Sequence, residues 1–229
     1  MNKFIYKSYL YYNLFFRNNI LKKRNTYSQH REDIFLKKYF KKTKKGFYID
    51  VGCYHPVKYS NTAWLYNYGW SGINLDMNKT SIDLFNIARP RDKNICAAIS
   101  NKNKSTYAYF DRLLSPINTL NKKFSDFGSK NISFRKHKKV KINAYKFDYI
   151  IKKNKIKIPY INFLNIDAEA HDFEVLKGFN IKKFKPKLIC VELLNSLAVI
   201  KKKKFIHFFK NRKYRLLKKI GPNGFFEKI

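Results

Sequence analysis

The chain has 229 residues, which is enough for one domain with a sizeable core. Hydrophobic residues make up 45% of it and aromatic residues 17%, a composition that excludes a disordered protein. Lysine and arginine number 50 against 15 acids, and the resulting net charge of +35 is typical of proteins that bind nucleic acids or anionic membranes. The basic residues are scattered, however, and the abundant residue types share A/T-rich codons. We therefore prefer codon bias to a nucleic-acid function as the interpretation.

The leader, residues 1–45, is basic and aromatic, and we predict that it is helical. Docking of one helical face on the main domain is our preferred interpretation, and a helix lying on a membrane surface is the alternative. A second helix is predicted from Ser28, its N-cap, to Phe40. The face predicted to dock consists of Tyr6, Tyr9, Leu10, Asn13 and Leu14.

The main domain is predicted at residues 46–229 and opens like a nucleotide-binding sheet. Residues 47–50 read as a buried strand that enters a turn at Gly52, and a helix follows from Ser60 to Gly69. Residues 72–75 form the next strand, which ends on Asp76. An acid about 20 residues after the turn glycine is typical of a carboxylate that binds ribose hydroxyls. The G-x-G-x-x-G fingerprint is missing, so the pattern argues against a pyrophosphate and is still compatible with an adenosine ligand that has none.

The rest of the chain alternates between helices and strands, which predicts an α/β fold with a mostly parallel sheet and a C-terminal antiparallel hairpin. Residues 111–139 have no strong period, and we predict an insertion there that serves as a lid or an acceptor-binding loop. Predicted strands cover residues 95–99, 105–110, 140–145, 161–166, 188–191, 214–220 and 225–229, and predicted helices cover 80–88, 147–153, 172–179 and 205–210.

The three cysteines, Cys53, Cys96 and Cys190, are an odd number without C-x-x-C spacing. Cys96 and Cys190 fall in predicted strands, so we expect reduced, buried thiols and no zinc site. No signal peptide is evident, and no stretch has the roughly 20 apolar residues that a membrane span requires. We therefore expect a cytoplasmic protein, with membrane association only at its surface.

Acids are rare in this sequence, yet four predicted strands end on one: Asp50, Asp76, Asp167 and Glu192. The carboxyl ends of parallel strands share one edge of a sheet, so these side chains should converge on one cleft. A negatively charged cleft in so basic a protein suits a cationic ligand. The alternative is that Asp50 and Asp167 only cap turns.

Several motifs together resemble those of one known family. They are GFYIDVG at 46–52, His55-Pro56, Ser60-Asn61-Thr62, GWSGINLD at 69–76, Arg89-Pro90-Arg91-Asp92, Ala97-Ala98-Ile99-Ser100, LNIDAEAHDFEVLKG at 164–178 and PKLICVE at 186–192. In this order, over about residues 27 to 229, the chain resembles an FkbM-type methyltransferase, a class I enzyme that uses S-adenosylmethionine. It departs from the family at Ala170, where glycine is usual.

The resemblance implies a Rossmann-like class I methyltransferase fold for residues 46–229 and a site for S-adenosyl-L-methionine. Asp76 should bind the two ribose hydroxyls. The glycine turn should border the methionine end of the cofactor, the helix start its carboxylate, and the alanine pair its adenine. The expected cofactor-binding residues are Asp50, Gly52, Ser60, Asn61, Thr62, Asp76, Ala97 and Ala98.

The loop after the fourth predicted strand contains the catalytic candidates Asp167, Glu169 and His171. Methyl transfer requires a positioned acceptor, and a hydroxyl acceptor benefits from a general base within hydrogen-bond reach. His171 fits a solvated surface position equally well. We expect no metal, although Asp167 and Glu169 are spaced so that they could hold Mg²⁺.

Three functions fit these observations. The leading hypothesis is an O-methyltransferase that acts on a sugar or glycan hydroxyl, and the glycan acceptor rests on the resemblance alone. The positive charge motivates the second, an RNA methyltransferase. The third is a non-catalytic RNA- or membrane-binding protein on a methyltransferase-like fold. The sequence leaves the oligomeric state open.

Overall fold

A computed structural model describes residues 2–193 and 201–229 of the chain. Its helices are α1 (Lys3–Tyr11), which a π-helical turn (Tyr12–Arg17) continues, α2 (Glu32–Tyr39), α3 (Ala63–Asn67), α4 (Lys79–Ala88), α5 (Lys122–Asn131), α6 (Phe147–Lys153), α7 (Asp172–Gly178), α8 (Ile181–Phe184) and α9 (Lys201–Lys210). Its strands are β1 (Phe47–Val51), β2 (Ser71–Asp76), β3 (Lys93–Cys96), β4 (Ala98–Ile99), β5 (Lys104–Phe110), β6 (Lys138–Tyr145), β7 (Phe163–Ile166), β8 (Leu188–Glu192), β9 (Tyr214–Ile220) and β10 (Asn223–Lys228).

Seven strands form the main sheet in the order β3-β2-β1-β7-β8-β10-β9. The five strands from β3 to β8 in this order pair in parallel, and β10 pairs antiparallel with both β8 and β9. The predicted parallel sheet with a C-terminal antiparallel hairpin is therefore confirmed. The chain runs outward from β1 to β3 and returns on the other side of β1 as β7. That reversal of strand order is where ligands bind in open α/β sheets.

Alternate residues of the central strands pack into two hydrophobic cores, one on each face of the sheet. In β1, Ile49 and Val51 join the core that contains α6, α7 and α9. Tyr48, which precedes Ile49, joins the core formed by α2, α3 and Trp70 on the other face. Because successive strand residues point to opposite faces, helices cover both sides of the sheet. The carboxyl ends of the strands remain open for a site.

The leader docks on the main domain through the predicted face. Leu10 and Leu14 are buried in a cluster with Leu84 of α4. The Tyr6 hydroxyl donates a hydrogen bond of 2.6 Å to Asp83 on the same helix. In residues 2–193 and 201–229, no helix is long and apolar enough to cross a membrane.

The second leader helix begins later than predicted, at Glu32 instead of Ser28. The cause is Asp33, whose buried carboxylate accepts hydrogen bonds from the Thr26 hydroxyl at 2.6 Å, the Ser28 hydroxyl at 2.8 Å and the Tyr27 amide at 2.9 Å. These bonds hold residues 26–28 in a turn ahead of the helix. Leu36 of the shortened helix is fully buried in the sheet core.

The strand predicted at residues 95–99 is two strands in different sheets. β3 ends at Cys96, and β4 belongs to a three-stranded sheet of order β4-β6-β5. At the break, the Ala97 amide donates to the Asp76 carbonyl at 2.9 Å. Cys96 is therefore exposed at the end of an edge strand, and the prediction that it is buried was wrong. Cys53 and Cys190 are buried free thiols.

Helix α5 lies inside the insertion, where no periodic structure was predicted. Its residues Ser125 and Gly128 are weak helix formers and obscure the helical repeat of apolar residues in the sequence. Two features compensate: the Asn121 side chain caps the first turn by accepting from the Phe124 amide at 3.2 Å, and Phe124 itself is buried. The insertion is consequently an ordered element beside the strand ends.

The docked leader predicts that two neighbouring apolar residues contribute very differently to stability. Leu14 is fully buried whereas Phe16 is 79% exposed. Leu14→Ala should lower the free energy of unfolding by about 3 kcal/mol, because it leaves a cavity, and Phe16→Ala should change it by less than about 0.5 kcal/mol. Urea unfolding of both variants measures the difference. Equal effects would contradict docking of the leader through this face.

Candidate active site

The close approach of β1 to β7 places the candidate site. Gly52, directly after β1, has a φ of +80°, and a Cβ at this position would lie 1.7 Å from the Asp167 carbonyl oxygen. The Gly52 amide also donates to the Leu75 carbonyl of β2 at 2.8 Å. Only glycine allows both this backbone conformation and this contact. The ends of three parallel strands therefore meet at one point.

Two adjoining pockets lie at this point, with volumes of about 530 Å³ and about 430 Å³. They share Gly52, Tyr54, Pro116, Asp167 and Glu169, so they form one cleft. Of the predicted site residues, the larger pocket is lined by Gly52, Asp76, Ala97, Ala98, Asp167, Glu169 and His171, and the smaller by Asp50, Gly52, Ser60, Asn61, Asp167 and Glu169. The structure thus brings together all the predicted residues except Thr62.

Asp76 ends β2 at the wall of the larger pocket. One carboxylate oxygen accepts from the Tyr54 amide at 2.9 Å, and the other accepts from the Asn78 amide at 2.7 Å. Burial raises the pKa of Asp76 to about 6, although these two hydrogen bonds oppose the shift. The amides fix the carboxylate, and each oxygen keeps a lone pair for a ligand.

Asp50 and Thr62 do not line the larger pocket; they bind each other and support the wall of the cleft. The Thr62 hydroxyl donates to one oxygen of Asp50 at 2.6 Å, and the Asn165 side chain donates to the other at 2.9 Å. Helix α3 begins at Ala63 and has five residues, so the longer helix predicted from Ser60 does not form. Thr62 is fully buried and does not reach the cleft, where it was expected to face the cofactor.

Arg89 is a buried cation that supports the Ser60–Thr62 segment, and sequence reasoning gave it no role. Its guanidinium donates to the Thr62 hydroxyl at 2.8 Å, to the Ser60 hydroxyl at 2.9 Å and to the Pro56 carbonyl. The ring of Phe85 lies 4.7 Å from the guanidinium carbon, which favours the charge in this apolar surrounding. Arg89 therefore fixes the loop between β1 and α3.

Asp92 completes this support on the other side of Tyr48. The Tyr48 hydroxyl donates to Asp92 at 2.5 Å, and the Arg89 guanidinium donates to the Tyr48 hydroxyl at 3.4 Å. Asp92 also accepts from the Gly72 amide at 2.8 Å and from the Asn74 side chain at 2.9 Å. The sequence signal that could have found this pair is the Arg89-Pro90-Arg91-Asp92 motif, whose end residues are both buried.

The loop after β7 is held in an unusual conformation by the insertion. Glu169 and Ala170 have φ values of +49° and +68°, both in the left-handed region. The Thr119 hydroxyl donates to the Glu169 carbonyl at 2.7 Å, and the Asn121 side chain donates to the Ala170 carbonyl at 3.0 Å. Glycine, which is usual at position 170 in the family, adopts the left-handed region without strain. Here the two hydrogen bonds hold an alanine in this region, although its Cβ disfavours that backbone conformation.

Burial raises the pKa of each of the three carboxyl groups that line the larger pocket, those of Asp76, Asp167 and Glu169. Burial and the charge of Asp172 raise the pKa of Asp167 to about 7. Burial and the charge of Asp167 raise the pKa of Glu169 well above its usual range. Perturbed groups of this kind in a cleft are typical of functional sites.

His171 lies beside these acids in the pocket wall. Its Nε2 atom is 3.0 Å from the Ser100 hydroxyl, which follows β4. Residues of the insertion also line this pocket, and sequence reasoning identified only the segment that contains them: Ser115, Pro116, Asn118, Thr119 and Leu120. Across residues 2–193 and 201–229, no group of three or more His, Cys, Asp or Glu side chains is placed to hold a metal ion.

A mostly parallel α/β sheet with its cleft at the strand reversal defines a Rossmann-like fold. The family model of the methyltransferase FkbM domain matches residues 50–216, well over half of the chain. The chain therefore belongs to the FkbM methyltransferase family, as the sequence motifs predicted. No curated protein and no solved structure gives a significant match.

Replacing Asp167 with asparagine should stabilise the protein at neutral and alkaline pH. Between the usual carboxyl pKa of about 3.9 and the folded value, the folded protein binds a proton that the unfolded chain has released. Stability from this carboxyl therefore falls as the pH rises and is lost above about 7. Asp167→Asn should raise the free energy of unfolding by about 3 kcal/mol at about pH 8 and by almost nothing at about pH 4.

Urea unfolding at a series of pH values measures this effect. Asp126→Asn is the control, because Asp126 is exposed on α5 and pairs with Lys122 at 2.8 Å, outside the cleft. A stability gain that is independent of pH, or equal in both variants, would contradict the expected protonation of Asp167.

Proposed function

We propose that the protein is an S-adenosyl-L-methionine-dependent O-methyltransferase whose acceptor is a sugar or glycan hydroxyl. The observation that supports the cofactor is the charge of the larger pocket. Asp76, Asp167 and Glu169 line it, and no lysine or arginine does so among the described residues, although the chain carries a net charge of +35. A pocket with this charge favours a cationic ligand, and the sulfonium of the cofactor is a cation.

The shape of the cleft supports an adenosine ligand. Asp76 is held by backbone amides at the end of β2, the position from which a carboxylate binds ribose hydroxyls in related folds. Ala97 and Ala98 line the neighbouring wall with small side chains, which leaves room for a planar adenine ring. Ser60 and Asn61 of the smaller pocket would lie near the methionine end, while Asp50 and Thr62 hold that wall in place.

When bound, the cofactor would supply an electrophilic methyl group on sulfur. The protein must hold the acceptor oxygen in line with this group and remove the hydroxyl proton. Asp167 and Glu169 are the candidate bases, and His171 is a third candidate beside them. A carboxyl whose pKa is near 7 is well suited to this task at neutral pH, since it is partly ionised and still basic.

The insertion supports the acceptor side of the proposal. Ser115, Asn118 and Thr119 line the larger pocket together with the catalytic candidates, and their side chains carry hydroxyl and amide groups. Such groups bind neutral polyhydroxy compounds through hydrogen bonds without requiring a charge. The choice of a glycan also rests on the family resemblance, and it is therefore part of the proposal.

Asp76→Asn should weaken S-adenosylmethionine binding at least about tenfold, because charge-assisted hydrogen bonds to two ribose hydroxyls contribute roughly 1.5–3 kcal/mol each. The asparagine keeps an acceptor for one backbone amide, so the variant should remain folded. Isothermal titration calorimetry measures the affinity, and Asp126→Asn again serves as the control. Unchanged affinity in folded Asp76→Asn protein would remove Asp76 from the cofactor site.

The acceptor can be identified by comparing cells with and without the gene. Deletion should remove one methyl group from a sugar hydroxyl of a glycan, as detected by mass spectrometry of all methylated carbohydrates. The parent gene should restore the methyl group, whereas the Glu169→Gln gene should restore little of it. Loss of a ribose methyl group from RNA, with the glycans unchanged, would establish the RNA alternative and overturn the glycan proposal.

A further inference from the structure

The leader presents an exposed apolar surface on the side opposite to its docked face. We call this surface the outer face. Phe4 is 77% exposed, Phe16 79% and Leu21 81%. The outer face consists of Phe4, Ile5, Tyr11, Tyr12, Phe15, Phe16 and Leu21. Contiguous exposed apolar surface of this kind marks an interaction site in soluble proteins.

The orientation of the outer face is fixed, because the opposite face is fully engaged. Leu10, Asn13 and Leu14 are buried, and the Asn13 side chain lies 2.9 Å from Nε2 of the buried His55. The two sets of residues alternate along α1 and the π-helical turn, as expected for an amphipathic helix. The outer face is therefore not an unfilled part of the core.

Two aromatic pairs stiffen the outer face. The rings of Tyr11 and Phe15 are stacked with centroids 6.0 Å apart, and those of Tyr12 and Phe16 are stacked at 6.1 Å. Tyrosine combines an apolar ring with a polar hydroxyl, which suits a boundary between a hydrocarbon region and water. The arrangement is therefore favourable for a surface that is partly apolar and partly hydrated.

Positive charge surrounds the outer face. No aspartate or glutamate occurs among residues 1–31. The exposed basic residues of this segment are Lys3, Lys7, Arg17, Lys22, Lys23, Arg24 and Arg31. Asp83, the acid on the adjoining helix, is bound by the Tyr6 hydroxyl and by Lys79 at 2.6 Å each. An occupant of the outer face must therefore be apolar at its centre and negatively charged at its rim.

We propose that the outer face binds an anionic membrane surface as an interfacial helix. The aromatic and aliphatic side chains would enter the boundary between head groups and acyl chains, and the basic residues would bind the anionic head groups. A second copy of this chain fits poorly, since it would bring two basic rims together. A single-stranded nucleic acid would satisfy the charge but would leave Phe4, Ile5 and Leu21 without an apolar partner.

The test compares two double variants of the full chain in co-sedimentation with phosphatidylcholine vesicles that contain or lack phosphatidylglycerol. Phe4→Ser with Phe16→Ser removes apolar side chains from the outer face. Tyr160→Ser with Ile229→Ser is the matched control, because these residues are 57% and 75% exposed elsewhere and no charge changes. The parent and the control should bind the anionic vesicles, and the outer-face variant should bind at least about tenfold more weakly.

Further measurements make the proposal falsifiable. Lys22→Gln with Lys23→Gln should weaken binding several-fold and reduce its dependence on salt. Equal vesicle binding by the outer-face variant and the parent would overturn the proposal. So would a parent dimer that only the outer-face variant dissociates in sedimentation velocity, or an RNA affinity that this variant loses. Cofactor affinity should stay unchanged in every variant, so the result does not depend on the methyltransferase proposal.

Discussion

A buried network of polar groups beneath the cleft is the constraint on which the rest of the structure depends. Pairing in the sheet places Asp50 beside Asn74 of β2 and Asn165 of β7, so polar side chains form a row across three strands. Arg89 and Tyr48 link this row to the loop before α3 and to the turn before β3. Buried charges are costly unless they are hydrogen-bonded, so each member requires the others.

The same arrangement separates the structural acids from those that face the cleft. Asp50 has both oxygens bound by side chains of the protein, whereas Asp167, which follows β7, lines both pockets. The contact of Gly52 with the Asp167 backbone holds the two strand ends together. A rigid lower layer can therefore support carboxylates whose mutual repulsion would otherwise push them apart.

Much of the fold could be predicted from the sequence, because strands of the main sheet appear as short apolar runs that end on an acid. Asp76 and Asp167 were located in this way, since strand ends share one edge. The sequence could not predict that Asp50 is a structural acid and that Asp167 faces the cleft, because these roles depend on which side chains of distant loops reach them. Helix α5 was missed for a related reason, since its cap and its buried Phe124 stabilise a segment of low propensity.

The scattered positive charge of this protein has a physical consequence at the edge strand β9. β9 forms one edge of the main sheet in the described part of the chain and displays Arg215, Lys218 and Lys219 on its exposed positions. A sheet edge is a template on which another chain can add a strand, and two such edges would bring these cations face to face. Even if codon composition is the origin of the lysines, they oppose the growth of intermolecular β-sheet and so favour colloidal stability at high concentration.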